Sequence, residues 1–216
     1  MKSTLINMVA VLFVITLVAS AGVGYIYQLT AEPIAQANKQ AEQEALLQVL
    51  PEFDATTVEA LTIDQLPIEV NVATKQGEVV GYAVKSQTNS GFGGNIVMMV
   101  GFDTAGTILN VNVLKQAETP GLGTKMAEPG NVLLLSVQGK NPAQMNLAVK
   151  KDGGDVDALT AATISSRAYV EAIKRATEAY NQVAVSAVQL DAVTAATQTQ
   201  EGEAYMSEAQ EGGQNE

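Results

Sequence analysis

The chain has 216 residues, 47% of them hydrophobic and 16% charged, and its 23 acidic and 12 basic side chains leave a net charge of −11. Histidine, cysteine and tryptophan are absent, which excludes disulfides, thiolate- or imidazole-held metal centres, and any Ser-His or Cys-His nucleophile. A metal would need oxygen ligands alone, and an acidic chain without a basic stripe argues against nucleic acid as a partner.

No side chain is charged between Lys2 and Glu32, and Leu5 to Leu29 is a nearly continuous apolar run. About 20 such residues cross a bilayer, so this segment reads as a transmembrane helix. Its rival is a secretory signal peptide cleaved at Ala19-Ser20-Ala21. The run continues through Val23, Tyr25, Ile26 and Tyr27, which favours the uncleaved helix. Either reading sends the remainder out of the cytoplasm, because Lys2 and the N-terminal amine are the only positive charges near the first end.

From Pro33 the composition changes to Ala, Gln, Glu and Lys, with Ile34, Ala37, Ala41, Ala45, Leu46 and Val49 at helical spacing. Pro33 suits a first helical turn and Pro51 ends the run. Alternating apolar residues follow at Ile68, Val70 and Val72, then at Val80, Tyr82 and Val84 beyond the Gln76-Gly77 turn. Ile96 to Phe102 and, after Asp103-Thr104-Ala105-Gly106, Ile108 to Val113 complete the series. Such runs between turns predict antiparallel strands. A later hairpin is expected from Leu147 to Lys150, the Asp152-Gly153-Gly154 turn and Val156. From Ser165 a helical pattern runs through Val170, Ile173, Ala176, Tyr180 and Val183. From Asp191 onward there are six acidic and no basic residues, which reads as a disordered tail. The expected plan is α+β: an anchor over 1–31, a connecting helix over 32–52, a domain with an antiparallel sheet and packed helices over 53–190, and the tail over 191–216.

Three motifs carry the chemistry. Ser90-Gly91-Phe92-Gly93-Gly94-Asn95 is a glycine-rich turn between two strands, and by itself it is more often only a turn. Glu118-Thr119-Pro120-Gly121-Leu122-Gly123-Thr124-Lys125 follows a strand, and its Pro-Gly fits a type II turn that presents amides on an exposed loop. Asp157-Ala158-Leu159-Thr160-Ala161-Ala162-Thr163-Ile164-Ser165-Ser166 leads into the final helix. Threonine there is an ordinary N-cap, yet the same free amides and helix dipole also favour a phosphate.

The third motif resembles the flavinylation motif Asp-x-x-Ser/Thr-Gly-Ala-Thr of the FMN-binding domain family. That family is found in the G subunit of the Rnf electron transport complex and in the C subunit of the sodium-translocating NADH:quinone reductase. The resemblance implies FMN joined through its phosphate to Thr163, by a separate flavin transferase that uses FAD, with Asp157 and Thr160 as the other motif positions. The loop is similar to a Glu-Thr-Pro-Gly-Leu-Gly element of the same family that lies against the flavin, which implies cofactor contacts from Glu118, Thr119, Gly121, Leu122, Gly123 and Thr124. Ser90 to Asn95 resembles the family's glycine-rich turn, and the N-terminal helix matches as well. The implied protein is a redox subunit and not a complete enzyme alone. It sits in the bacterial inner membrane with its domain outside the cytoplasm, among lipid and the other subunits of a complex that passes electrons between ferredoxin and NAD while moving sodium ions or protons. No residue of the chain is expected to be catalytic and no metal is expected. The C subunit of the quinone reductase is the near alternative, and a membrane-anchored assembly protein that has lost its flavin is the alternative from another class. Ala161, where the family motif usually has glycine, is the one departure; a positive φ there would cost alanine about 1 kcal/mol.

Overall fold

The computed structural model describes residues 5–185. The acidic segment expected over 191–216 lies outside the described residues. The chain divides into two units between Glu44 and Ala45.

The first unit is most of α1, a helix that runs unbroken over Leu5–Val49 with Pro33 inside it. A new helix starting at Pro33 is therefore not what forms. Proline removes one N–H donor and crowds the preceding turn, a local cost that the long helical stretches on either side offset. The most apolar 18-residue window of α1 has a mean hydropathy of 2.3 and is wholly exposed, so the helix is long and apolar enough to cross a membrane.

The second unit begins with the last turn of α1 and continues into a five-stranded antiparallel sheet in the order β1-β2-β3-β4-β5. The strands are β1 (Ala55–Ile63), β2 (Leu66–Lys75), β3 (Glu78–Gly91), β4 (Gly94–Phe102) and β5 (Ile108–Lys115). Four of them coincide with the alternating runs, as period-two burial requires. β1 lacks that signature because seven of its nine residues are exposed, so neither face had to be apolar. Two-residue turns close the first two hairpins, with positive φ at Asp64 and Gln65 and again at Gln76 and Gly77, the combination that follows the right-handed twist of the strands.

After β5 come a 3-10 turn at Gly123–Ala127, the short helix α2 (Val132–Val137) and the final helix α3, described over residues 163–185. The inner face of the sheet offers Ile68, Val70, Val84, Ile96, Met98, Val100 and Phe102 to α3, which returns Tyr169, Ala172, Ile173, Ala176 and Val183. The alanines keep the helix close enough for the Ser86 hydroxyl to reach the carbonyl of Ala172 at 2.7 Å. The outer face is covered at one end by Ala45, Val49 and Leu50, packed on Ala73, Ala83 and Met99.

The hairpin expected around Asp152-Gly153-Gly154 does not form. Lys150–Asp152 is a 3-10 turn closed by Gly153 in the left-handed conformation, and the bridge between Val149 and Val156 is parallel. The segment loops back on itself: Gly154 passes so close to Ala148 that an added Cβ would lie 2.0 Å from its carbonyl oxygen.

Candidate functional site

The three motifs, far apart in the chain, meet around one open cavity of about 370 Å³ lined by Phe92, Thr119, Leu122, Gly123 and Ala161 to Ser165. Its size lies within the roughly 300 to 1,000 Å³ of small-molecule sites. A larger hollow of about 480 Å³ opens beside Gly106, Asn141 and Tyr180. The Tyr180 hydroxyl and Asn141 amide there are already spent on the carbonyls of Thr104 and Ala105.

Each wall has a local cause. Phe92 occupies the tip of the β3–β4 hairpin and is 68% exposed, an orientation that costs apolar area unless something covers it. The loop after β5 is folded by its own threonines: Thr119 O accepts the amide of Leu122 at 3.1 Å, and Thr124 Oγ1 accepts the amide of Gly121 at 3.0 Å. Gly121 has φ +73, as the third residue of a type II turn requires. The third wall is the start of α3. The amide of Ser166 donates to Ala162 O at 3.0 Å, so the amides of Thr163, Ile164 and Ser165 precede the first bond of the helix and are open to an anion.

Glu118 joins all three. It is only 4% exposed; Oε1 accepts the amide of Gly93 at 3.0 Å, and Oε2 accepts the Ser165 hydroxyl at 2.5 Å. Its own amide donates to Gln116 Oε1 at 2.7 Å. The neighbouring glycines leave space for nothing larger. A Cβ on Gly93 would lie 1.8 Å from Ala117 O, and one on Gly123 would lie 2.6 Å from Ser165 Oγ and 2.9 Å from Glu118 Oε2. Gly123 is thus required by close approach rather than by positive φ.

Among the residues that the sequence points to, Thr119, Leu122, Gly123 and Thr163 line the cavity. Gly121 and Thr124 shape the loop from behind, and Glu118 lies in the wall. Thr160 is exposed in the turn before the helix. Asp157 stands apart: its amide and Oδ2 engage Ser136 Oγ of α2 at 2.9 and 3.3 Å, and Oδ1 pairs with Lys150 at 2.7 Å. The hydrogen bond from Lys150 holds the Asp157 carboxyl below the usual carboxylate range. Asp157 thereby fixes where the segment enters the site. Phe92, Ala162, Ile164 and Ser165 also line the cavity, and the sequence reading does not select them; the aromatic at the centre of the glycine-rich turn is the available signal for Phe92.

Thr163 does not cap the helix. The helix begins at Thr163 itself, with Ala162 before it, and among the described residues nothing hydrogen-bonds the Thr163 hydroxyl. Ser166 does the local work instead, accepting the amide of Leu159 at 2.9 Å and donating to Ala162 O at 2.9 Å. A half-buried, uncommitted hydroxyl at a helix N-terminus is suited to bear a phosphoryl group.

The departure at Ala161 has a structural meaning. The turn Leu159 to Ala162 is closed by the Ala162 amide on Leu159 O at 3.2 Å, and Ala161 has φ +60. The backbone therefore takes the conformation that a glycine would, and alanine bears the strain without altering it. Left-handed geometry costs an L-residue about 1 to 2 kcal/mol, and glycine gives part of that back as unfolded-chain entropy, so Ala161→Gly should stabilise the protein by about 0.5 to 1 kcal/mol. The urea midpoint measures this, and a lower midpoint would show that the alanine methyl is held by packing.

Comparison with known proteins follows the same division of the chain. A family model described as FMN-binding domain matches residues 91–178, which include every residue lining the cavity. A second, described as RnfG N-terminal region, matches residues 1–49, which include α1. The chain is 34% identical over 194 residues to the G subunit of the ion-translocating oxidoreductase complex of Shewanella baltica (strain OS223), across 84% of this chain and 92% of that one. It is 35% identical over 184 residues to the G subunit of the same complex of Vibrio cholerae serotype O1 (strain ATCC 39541), across 80% and 88%. With the G subunit from Haemophilus influenzae (strain PittEE) it shares 36% over 168 residues, across 73% and 80%.

Proposed function

The chain belongs to the G-subunit family of ion-translocating oxidoreductase complexes, and from that premise we propose that it carries electrons through an FMN esterified by its phosphate to Thr163. The observation that carries this reading is the Thr163 hydroxyl, uncommitted at the lip of the cavity and at the head of α3.

The residues present fit the group. The cavity is of ligand size, its rim offers Phe92, Leu122 and Ile164 as partly exposed apolar surface for a flat ring, and the first amides of α3 face a phosphate. When bound, FMN supplies the redox chemistry that a chain without cysteine or histidine lacks. The protein's share is retention, orientation and partial exclusion of water. Thr163 supplies retention: an ester replaces a bimolecular equilibrium with a permanently high local concentration. Leu122 and Phe92 supply the apolar contacts, and Glu118 holds the segments that present them. The ester is remote from the ring, so potential is tuned by the loop and by nearby charge.

The remaining assignments belong to the same proposal. A separate flavin transferase with FAD as donor forms the ester. The α1 helix anchors the chain in the lipid of the bacterial inner membrane, with the second unit on the extracytoplasmic side. The partners are the other subunits of an Rnf-type complex working between ferredoxin and NAD.

Tryptic mapping tests the ester. Cleavage after Lys151 and Arg167 releases a peptide that contains Thr160, Thr163, Ser165 and Ser166. In protein co-expressed with a competent transferase, that peptide should carry the mass of FMN less water, with fragmentation placing it on Thr163. Flavin on another hydroxyl, or none, overturns the assignment.

A further inference from the structure

The two edges of the sheet are treated differently. β5 is covered by its own chain at its start: Ile108 donates to Lys140 O at 2.9 Å, Gly139 donates to Ile108 O at 2.8 Å, and Gln138 Nε2 reaches Leu109 O at 3.0 Å. The β1 edge is open. Among the described residues, no group outside β2 hydrogen-bonds the backbone of Thr56 to Thr62. In the first hairpin Ile63 and Leu66 flank a two-residue turn, which makes them a hydrogen-bonded pair. Counting back by twos, the backbone groups of Thr56, Val58, Ala60 and Thr62 point away from β2.

Exposed edges ordinarily carry a lysine, a proline or a bulge that prevents further pairing. β1 has none of these, and its register with β2 is unbroken over nine residues of mainly β-branched and small side chains. The charge around it is one-sided. Glu52, Asp54, Glu59, Asp64 and Glu69 fall between Pro51 and Thr74 with no lysine or arginine among them. Four are engaged: Glu52 with Lys75, Asp64 with Arg175, Glu69 with Lys85, and Asp54 with the amide of Gln76. Glu59, at the middle of the strand, has no ion pair among the described residues.

We propose that β1 is the docking edge for an extended segment of another subunit of the complex, bearing a lysine or arginine opposite Glu59, which joins the sheet as a sixth strand. Backbone bonds to the open edge give such an association its affinity, and the charge gives it register. A second copy of this chain fits less well. Symmetric antiparallel pairing about the strand centre would set Glu59 against Glu59, and like charges directly opposite repel. The edge lies between residues 50 and 90, outside both matched family regions. The inference rests on membership of a complex and not on the flavin ester.

The test replaces the subunit in its producing cells and isolates the complex from membranes. Val58→Pro removes an outward donor, and edge strands tolerate proline; Glu59→Lys reverses the only charge on the strand. Each should lower the amount of the chain that co-elutes with the complex at least tenfold, while the variant keeps its flavin, which reports the fold independently. Because the chain has no cysteine, Ala60→Cys gives a unique attachment point for a short maleimide–succinimidyl ester cross-linker. Mass spectrometry should find it joined to a lysine of another subunit. Wild-type co-elution of both variants, a cross-link only between two copies, or no cross-link in the intact complex overturns the proposal. An unmutated complex isolated without covalent flavin would count against the ester alone.

Discussion

Thr163→Ala should yield a folded protein with no covalent flavin. The loss is all or none, because no other hydroxyl shares the position: Thr160 is exposed in the preceding turn, while Ser165 and Ser166 are buried and spend their protons on Glu118 and Ala162. The cost in stability should be small. An N-cap threonine would be worth about 0.5 to 2 kcal/mol, but Ala162 precedes the helix and the Thr163 hydroxyl bonds to no described residue; surface-type changes of this kind stay within about 0.5 kcal/mol. Thr163→Ser should restore the ester and Thr160→Ala should keep it. In-gel fluorescence after denaturation, beside the urea midpoint, reads both quantities. A flavin retained in Thr163→Ala would refute the acceptor, and a collapsed midpoint would show that the side chain is structural.

The second large effect is expected at Glu118. Glu118→Ala leaves the buried Ser165 hydroxyl without its acceptor, at about 1 to 3 kcal/mol, and releases the more exposed Gly93 amide to water. The three walls should then part, so that flavin loading falls together with the urea midpoint. Glu118→Gln separates shape from charge. One amide oxygen can still take the Gly93 proton, and the Ser165 hydroxyl can turn to accept from the amide nitrogen. The fold and the ester should survive while a negative charge disappears from beside the cavity, which should raise the flavin midpoint potential. An unchanged midpoint potential in fully loaded Glu118→Gln would limit Glu118 to holding the wall. Gly123→Val strikes the same joint, since its first added carbon would meet Ser165 and Glu118; it should disturb loading as well as the ring's surroundings.

Elements that obey a burial period are legible in the sequence: β2 to β5 alternate because one face packs on α3, and α3 repeats because one face packs on the sheet. β1 is not, because an open edge strand exposed on both faces places no demand on its side chains. The new helix expected at Pro33 follows from proline's local preference, which says nothing of the long helix on either side. At Gly153, Asp-Gly-Gly fits a hairpin and a tight loop equally, and the loop that forms is held by contacts the local sequence does not announce, Asp155 to Asn146 and Gly154 against Ala148 among them. At the site, spacing alone leaves each motif ambiguous between a turn or cap and a ligand contact. The family resemblance assigns the motifs to one cofactor, but it does not show that Glu118 faces Gly93 and Ser165. Nor does it show that Ala161 takes a glycine's backbone angle.

The Glu118 junction also bears on when the site comes into being. Every strand pairs with its neighbour in sequence, so the sheet can assemble through short loop closures that are quick and cost little chain entropy. Glu118 must instead find Gly93 25 residues back and Ser165 47 residues on, and the second contact exists only once α3 has returned across the finished sheet. The wall beside the Thr163 hydroxyl is therefore among the last surfaces to form. On the proposed ester, a chain halted before α3 docks presents its threonine without that wall, and attached flavin becomes a chemical record of which molecules completed folding.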